Sequence, residues 1–207
     1  MAVKREYDSS RRQRQAAQTR ADTLAAARRL FAERGYAATT IEAIAAAAEV
    51  SEATVYAGFG SKRGLLLAFQ QQMQEDVDRD ERVDEFHAAA GNPAEQIAVA
   101  VRISLSFPAQ YGDTLAVMLS ARGMDPDVDE FLHRGLVQEH RGAWSMVASA
   151  LTSQHALRPG LTEQEAGDLG AALTRPEIYL ILPGELGWSP DRITDILTTV
   201  VRSALLG

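Results

Sequence analysis

Apolar residues recur along most of the chain at the three- and four-residue spacing of an amphipathic helix, and strict alternation of apolar and polar residues is almost absent. The spacing predicts helices over residues 13–33, 41–48 and 51–57, a longer one from 61, and further helices over about 92–107, 110–121, 125–154, 162–174 and 189–205. The segment Glu177–Leu182 alone could form a strand, but the sequence offers no second strand to pair with it. The pattern therefore predicts an all-α protein.

Capping residues and helix breakers predict where these helices begin and end. Thr40, Ser51 and Ser61 each precede a predicted helix, and each side chain can accept a hydrogen bond from the first turn. Gly35 follows a basic last turn and predicts the end of the first long helix. Pro108 predicts the end of the helix that begins near residue 92, because proline lacks the backbone donor that a helix interior needs.

Charge divides the chain into two parts. Residues 1–63 carry 11 Lys and Arg against 7 Asp and Glu, whereas residues 64–207 carry 10 against 21, so the net charge of −7 hides a basic N-terminal part. A basic part on an acidic body indicates contact with a polyanion, although a charged tail without any partner has the same composition. We expect a disordered basic arm over residues 1–12, a first domain over 13–75 and a second domain over 76–207, where the composition turns acidic.

Composition also narrows the chemistry that the chain can perform. The chain has no Cys, which excludes thiolate metal sites and a cysteine nucleophile, and its four His are too scattered for a metal site. The run Gly58–Gly64 is only superficially like a phosphate-binding loop, because a preceding strand and the P-loop spacing are both missing. We therefore expect no enzyme activity, no metal and no cofactor. The sequence has neither a secretory signal nor an apolar run of membrane length, so the expected location is cytoplasmic.

Two short predicted helices, over 41–48 and 51–57, are separated by about three residues and flanked by longer helices. This is the arrangement of a helix-turn-helix module, in which the second helix enters the major groove of DNA. Polar or charged groups lie on that second helix and at the start of the next one: Ser51, Glu52, Thr54, Tyr56 and Lys62. The first turn of a helix in the groove can reach base edges, so this segment is the candidate DNA-reading surface.

Four sequence elements lie in register over residues 24–69: Leu30-Phe31-Ala32-Glu33-Arg34-Gly35-Tyr36, Thr39-Thr40-Ile41-Glu42-Ala43-Ile44-Ala45, Val50-Ser51-Glu52-Ala53-Thr54-Val55-Tyr56 and Phe59-Gly60-Ser61-Lys62-Arg63. Together they resemble the DNA-binding domain of the TetR (tetracycline-repressor) family. The segment Gly187-Trp188-Ser189-Pro190-Asp191 resembles such regulators more weakly. The resemblance implies an N-terminal three-helix helix-turn-helix domain, joined by a long helix to a C-terminal helical domain for ligand binding and dimerisation.

The resemblance also implies a function. The chain would be a homodimeric, ligand-responsive transcriptional regulator, in this family most often a repressor, that binds a palindromic operator in double-stranded DNA and is released by a small-molecule effector. Carried over by position, the resemblance implies phosphate contacts from Thr40, Tyr56 and Lys62. It implies base contacts from Ser51, Glu52, Thr54 and Val55, and it includes Ser61 in the same surface.

Acidic and basic residues near this surface leave alternatives open. Glu49 occupies the turn where the family often has glycine, and a positive φ there costs a non-glycine residue about 1 kcal/mol. Glu52 either accepts from a cytosine amino group or faces solvent. The cluster of Arg11, Arg12 and Arg14, together with Arg20, is either an arm on DNA or a solvated tail. The two glutamates also favour an alternative function, a dimeric interaction module that has lost operator binding.

The acidic body carries the expected dimer and effector sites. The last helix has an apolar stripe larger than packing on one neighbour requires: Ile193, Ile196, Leu197, Val200, Val201, Ala204 and Leu205. We expect the C-terminal helices to form the homodimer interface. Residues of mixed character would line an apolar effector pocket, although ordinary core packing also accounts for each: Phe107, Tyr111, Met118, Phe131, His140 and Trp144. His140 lies on an apolar helix face, where a buried imidazole needs a hydrogen-bond partner.

Overall fold

The structure is a computed structural model that describes residues 2–75, 79–124 and 126–207. Its helices are α1 Ala2–Ala38, α2 Ile41–Ala47, α3 Glu52–Phe59, α4 Lys62–Glu75, α5 Arg79–Ala88, α6 Pro93–Ser120, α7 Pro126–His133, α8 His140–Ser153, α9 Glu163–Leu173, α10 Pro176–Leu186 and α11 Pro190–Leu205, with a π-helical segment Arg134–Glu139 between α7 and α8. These ranges contain no β-strand, only an isolated bridge between Leu157 and Leu206. The all-α prediction is confirmed, and no helix described here has the length and hydropathy needed to cross a membrane.

The first helix differs from its predicted extent at the N-terminus. The sequence predicts a disordered arm over residues 1–12, whereas the structure extends α1 back to Ala2. This segment contains neither glycine nor proline, so nothing in it interrupts the helix once the following turns have formed. At the other end Gly35 breaks the helix as predicted, with φ of 79° and ψ of 159°. The buried Thr39 follows this break, and its hydroxyl lies 2.9 Å from the Gly35 carbonyl oxygen.

The chain folds into two compact units, which divide it differently from the predicted domains. The first unit comprises Met1–Glu75 and Asp113–Asp129, and the second comprises Asp76–Gly112 and Glu130–Gly207. The segment Asp113–Asp129, which the sequence assigns to the C-terminal domain, thus belongs to the N-terminal unit. An ion pair between Arg63 of α4 and Asp127 of α7 lies within this first unit.

Two predicted helix boundaries are wrong in ways that local backbone chemistry explains. α6 continues through Pro108, because the missing donor and the crowded ring distort a helix without always ending it. The distortion appears at Tyr111, whose φ of −119° and ψ of 17° are not helical. The predicted single helix over 125–154 instead contains the π-helical segment Arg134–Glu139, which changes the register of its apolar face.

The core of the second unit depends on close approach of α8 and α9. Trp144 of α8 is 1% exposed, and its indole Nε1 donates to Ser104 Oγ at 3.2 Å. A Cβ atom built on Gly170 would lie 2.1 Å from Trp144 Cε3, and one on Gly167 would lie 3.3 Å from Ser145 Cα. The indole therefore occupies the space that a side chain at position 170 would need.

This packing makes the substitution Gly170→Ala destabilising. We expect it to lower the free energy of unfolding by about 1–3 kcal/mol, because the added methyl group overlaps a fully buried indole. The matched control is Gly142→Ala in α8, where an added Cβ meets nothing within 4 Å. This change should raise stability by up to about 1 kcal/mol, since alanine is the better helix former. Urea unfolding followed by circular dichroism measures both, and equal stability of the two variants would contradict the packing described.

Candidate nucleic-acid interface

Three capped helices build the candidate interface, and the predicted caps are confirmed. Thr40 Oγ1 accepts from the Ala43 amide at 3.1 Å at the start of α2. Ser51 Oγ accepts from the Thr54 amide at 3.1 Å at the start of α3. Ser61 Oγ, which precedes α4, accepts from the Gly64 amide at 3.0 Å. Each cap satisfies a donor that the first turn leaves unpaired, so the helices begin at fixed positions.

The turn between α2 and α3 is a Schellman motif in which glutamate replaces the usual glycine. The Val50 amide donates to the Ala45 carbonyl at 3.0 Å, and the Glu49 amide donates to the Ala46 carbonyl at 3.3 Å. This pattern requires a left-handed residue at the position after the cap, and Glu49 supplies it with φ of 55°. The predicted positive φ at Glu49 is confirmed, and the turn holds the local strain that the sequence indicated.

α3 lies almost entirely on the surface of its unit. Six of its eight residues are exposed, Phe59 is half-buried, and Val55 is 1% exposed. Val55 was predicted to face bases, and this prediction is wrong, because the side chain points into the core and anchors the helix. A helix held by one buried side chain gains little from packing, so its exposed face is available for a partner.

The other predicted DNA-contacting residues lie on the exposed side of these helices. Tyr56 is 50% exposed, and its hydroxyl has no hydrogen bond within the described residues. Ser51 Oγ and Thr54 Oγ1 are 2.8 Å apart, so the two hydroxyl groups are hydrogen-bonded to each other at the start of α3. Glu52 is exposed in the first turn of α3, where its negative charge interacts favourably with the helix dipole. Thr40 and Ser61 are also exposed, in addition to acting as caps.

Arg20 has a contact that the sequence interpretation missed. Its Nη1 donates to the Gly58 carbonyl at 2.7 Å, and its guanidinium lies 4.4 Å from the centroid of the Phe59 ring. The cation therefore binds the C-terminal turn of α3, where unpaired carbonyls carry partial negative charge. Arg11, Arg12 and Arg14 are exposed on the N-terminal part of α1 and stay candidates for a DNA-contacting arm.

Gly64 is a second residue that sequence reasoning missed. A Cβ atom at this position would lie 1.7 Å from the Phe59 carbonyl oxygen, which is backbone and cannot move aside. Only glycine therefore allows the first turn of α4 to lie directly against the end of α3. The sequence did contain a signal for this close contact: two glycines, Gly60 and Gly64, follow the short predicted helix within a few residues.

Lys62 fixes the start of α4 to the end of α1. Its ammonium donates to the carbonyls of Tyr36 at 2.8 Å, Thr39 at 3.0 Å and Ala37 at 3.3 Å. It also lies 4.4 Å from the centroid of the Tyr36 ring, and partial burial lowers the pKa of the amine from its ordinary value. An ammonium has three donors, and all three are used here. Lys62 therefore brings positive charge to the interface while its hydrogen bonds hold the unit together.

The residues predicted to line an effector pocket are divided between the two units. Met118 belongs to the first unit, whereas the other five belong to the second. Trp144 is a core residue, and His140 hydrogen-bonds through Nε2 to the Ala171 carbonyl and the Thr174 hydroxyl, both at 3.2 Å. Burial lowers the pKa of His140, which favours the neutral ring in this core position. Tyr111 is buried, and Phe107 and Phe131 are half-buried.

α2 and the exposed α3, supported by α1 and α4, form a helix-turn-helix arrangement, which is typical of DNA-binding proteins. The sequence model of the family described as bacterial regulatory proteins, tetR family, matches residues 24–69, which span this interface. Over these residues the chain therefore has the sequence pattern of this family of bacterial regulatory proteins. No curated protein sequence matches the chain.

Solved structures share the fold over nearly the whole chain. NalD, the secondary repressor of the MexAB-OprM multidrug efflux pump in Pseudomonas aeruginosa, has a TM-score of 0.71 at 20% identity, covering 93% of this chain and 98% of that one. A putative transcriptional regulator from Saccharomonospora viridis in complex with choline has a TM-score of 0.70 at 22% identity, covering 92% of this chain and 99% of that one. The ketosteroid transcriptional regulator KstR2 of Mycobacterium tuberculosis has a TM-score of 0.66 at 17% identity, covering 91% of this chain and 95% of that one.

Relief of the strain at position 49 should stabilise the protein. We expect Glu49→Gly to raise the free energy of unfolding by about 0.5–1 kcal/mol, since glycine adopts positive φ without the steric penalty. Glu49→Gln is the matched control, because it removes the same charge and retains the strain. Urea titration of the variants separates the two effects, and an equal gain from glutamine would show that charge rather than backbone geometry is responsible.

Loss of the ammonium at position 62 should destabilise the first unit. We expect Lys62→Met to lower the free energy of unfolding by about 1–3 kcal/mol, because three charge-assisted hydrogen bonds disappear from a half-buried position. Arg34→Met is the control, since it removes an exposed cation from the same end of α1, and it should change stability by less than about 0.5 kcal/mol. The account is contradicted if the two methionine variants unfold at the same urea concentration.

Proposed function

We propose that the protein is a homodimeric, ligand-responsive repressor that binds a palindromic operator through α3 and releases it when a small-molecule effector binds the second unit. The exposed face of α3 is the observation that carries this proposal. Only one residue of α3 is buried, so the rest of the helix is free to contact DNA. A repressor of this kind acts on chromosomal DNA, so we propose a cytoplasmic location. The family match over residues 24–69 supports the same function.

The proposed DNA contacts follow from exposure and polarity. Base edges are read by the polar first turn of α3, and phosphates are bound around it by residues on α2, α3 and the start of α4. The set is Thr40, Ser51, Glu52, Thr54, Tyr56, Ser61 and Lys62. Lys62 acts through its charge, since its three donors are already bound to carbonyls. Val55 leaves the set because it is buried.

The proposed dimer uses the C-terminal helices. Leu169 of α9 is 39% exposed and Val200 of α11 is 41% exposed, which leaves an apolar residue on the outer face of each helix. Ile196 and Leu173 lie beside them and are only partly buried. A second copy of the chain that covers these faces would remove this apolar surface from water. Two subunits then present two α3 helices, as a palindromic operator requires.

The proposed effector acts through the second unit. Two similar solved structures hold small molecules, choline in the regulator from Saccharomonospora viridis and triclosan in SmeT. A ligand changes operator affinity only if it binds the DNA-competent and DNA-incompetent states unequally. A preference of about 1–3 kcal/mol corresponds to a change of about 5- to 150-fold in operator affinity. Effector release of DNA is therefore a moderate shift of an equilibrium.

The experiment is selection of an operator from random duplexes, followed by fluorescence anisotropy on the selected duplex. We expect an inverted repeat, and an affinity that falls steeply with salt, with a slope of about −0.9 for each phosphate neutralised. Tyr56→Ala should weaken binding by about tenfold with little change in stability, because the side chain is 50% exposed and its hydroxyl has no hydrogen bond to the described residues. The control Met146→Ala, also an exposed residue, should leave affinity unchanged.

Other outcomes would overturn the proposal. Enrichment of no inverted repeat, or affinity insensitive to salt, would favour a dimeric module without operator binding. Equal affinity of the wild type and Tyr56→Ala would show that α3 is not the contact surface.

A further inference from the structure

A cleft of about 320 Å³ in the second unit lies between α6, α10 and α11. This volume is at the lower end of the range for small-molecule sites, which is about 300–1,000 Å³. Leu105 of α6 and the ring of Tyr179 of α10 supply apolar surface, and Asp191 and Asp195 of α11 supply carboxylates. None of the six residues predicted from the sequence to bind an effector lines this cleft.

Tyr179 gives the cleft an unsatisfied polar group. The residue is 7% exposed, yet among the described residues its hydroxyl has no hydrogen-bond partner. Burial and the negative charge of Asp191 both raise the pKa of this phenol, so it stays protonated at neutral pH. The hydroxyl is reached from the cleft that Tyr179 lines, so a ligand in the cleft can supply its hydrogen-bond partner.

The charge of the cleft is negative because its one cationic lining residue is already paired. Arg102 Nη2 lies 2.6 Å from Glu85 Oε1, and its Nη1 lies 3.6 Å from Glu95 Oε1. Both of those carboxylates lie outside the cleft lining. Asp191 and Asp195, in contrast, have no ion pair with any described residue. Two uncompensated carboxylates therefore face a site whose arginine is occupied elsewhere.

The two aliphatic hydroxyl groups in the lining are acceptors rather than donors. Ser106 Oγ donates to the Ile103 carbonyl at 2.8 Å, and Thr194 Oγ1 donates to the Pro190 carbonyl at 3.0 Å. Each hydroxyl has a single proton, so only its lone pairs remain for a ligand. With the carboxylates and the Tyr179 oxygen, the cleft offers many acceptors to a ligand. An ammonium group has three donors and no acceptor, and it complements this chemistry.

We infer that this cleft binds a small amphipathic amine in its protonated form, with the ammonium at Asp191, Asp195 and Tyr179 and the apolar body against Leu105. This inference rests on the proposed function only in assigning the amine as the effector, since the binding itself does not depend on DNA. The site is compatible with the proposed dimer. At about 100° per residue, Asp191 lies on the opposite side of α11 from Val200.

The test is isothermal titration calorimetry of the full chain with three probes that share a phenylethyl group and differ in charge. 2-Phenylethylammonium should bind with a Kd of about 1 mM or below. 2-Phenylethanol should bind about tenfold more weakly, because two ion pairs are lost, and 3-phenylpropionate more weakly still. No saturable binding of the ammonium up to about 10 mM, equal affinity for the three probes, or a preference for the carboxylate would overturn the inference.

Variants locate the binding. Asp195→Asn and Tyr179→Phe should each weaken the ammonium probe by about three- to tenfold. Asp195 is exposed, so its variant keeps the test valid even if the buried Tyr179→Phe fails to fold. Glu163→Gln removes an exposed charge from α9 and should leave affinity unchanged. Undiminished binding in Asp195→Asn would place the amine elsewhere.

Operator affinity measured with and without 2-phenylethylammonium separates the two proposals. If the protein without amine does not bind DNA, only the proposed function is contradicted. If the protein binds its operator but does not bind the amine, only the cleft inference is contradicted.

Discussion

A recognition helix of eight residues cannot hold its own position, so the candidate interface depends on how the helices around it are fixed. The contact that does this is the Lys62 ammonium, which binds three carbonyls at the end of α1 and lies over the Tyr36 ring. Those carbonyls lie just beyond the non-helical backbone of Gly35, at the C-terminal end of α1, where carbonyls lack partners within the helix. One side chain thus satisfies acceptors of α1 and sets the point at which α4 begins.

The constraint continues from α4 into α3 through backbone contact. α4 can begin directly against the Phe59 carbonyl because position 64 has no side chain. Arg20 binds the same end of α3 from α1, through the Gly58 carbonyl and the Phe59 ring. The last turn of α3 is therefore held by groups from two helices, and its polar first turn stays exposed. Rigid support beneath an exposed reading face is the arrangement that sequence-specific contact needs.

The sequence predicted those features that depend on near neighbours. The caps at Thr40, Ser51 and Ser61 and the positive φ at Glu49 involve hydrogen bonds between residues three to five apart, so local patterns contain them. Lys62 differs, because its partners lie 23 to 26 positions earlier in the chain. Its charge pointed to a phosphate, and nothing local indicated that carbonyls would use its three donors.

Other errors have the same origin. An eight-residue helix has only about two turns, too few for its apolar period to show that Val55 is its inward face. Pro108 was taken as a helix end, because sequence alone does not show whether packing tolerates the lost hydrogen bond. That Met118 belongs to the first unit, and the other five residues predicted to line a pocket to the second, is also seen only in the folded chain. The cleft of the second unit likewise joins residues from three helices that are far apart in sequence.

The central claim is that α3 reads the major groove, and protection of guanine N7 from dimethyl sulfate tests it most directly, since N7 lies in that groove. On a selected duplex, the account predicts two protected major-groove segments related by two-fold symmetry, with their centres separated by about 34–36 Å or a multiple of it. Protection that is confined to the minor groove, or that has no two-fold symmetry, would contradict it.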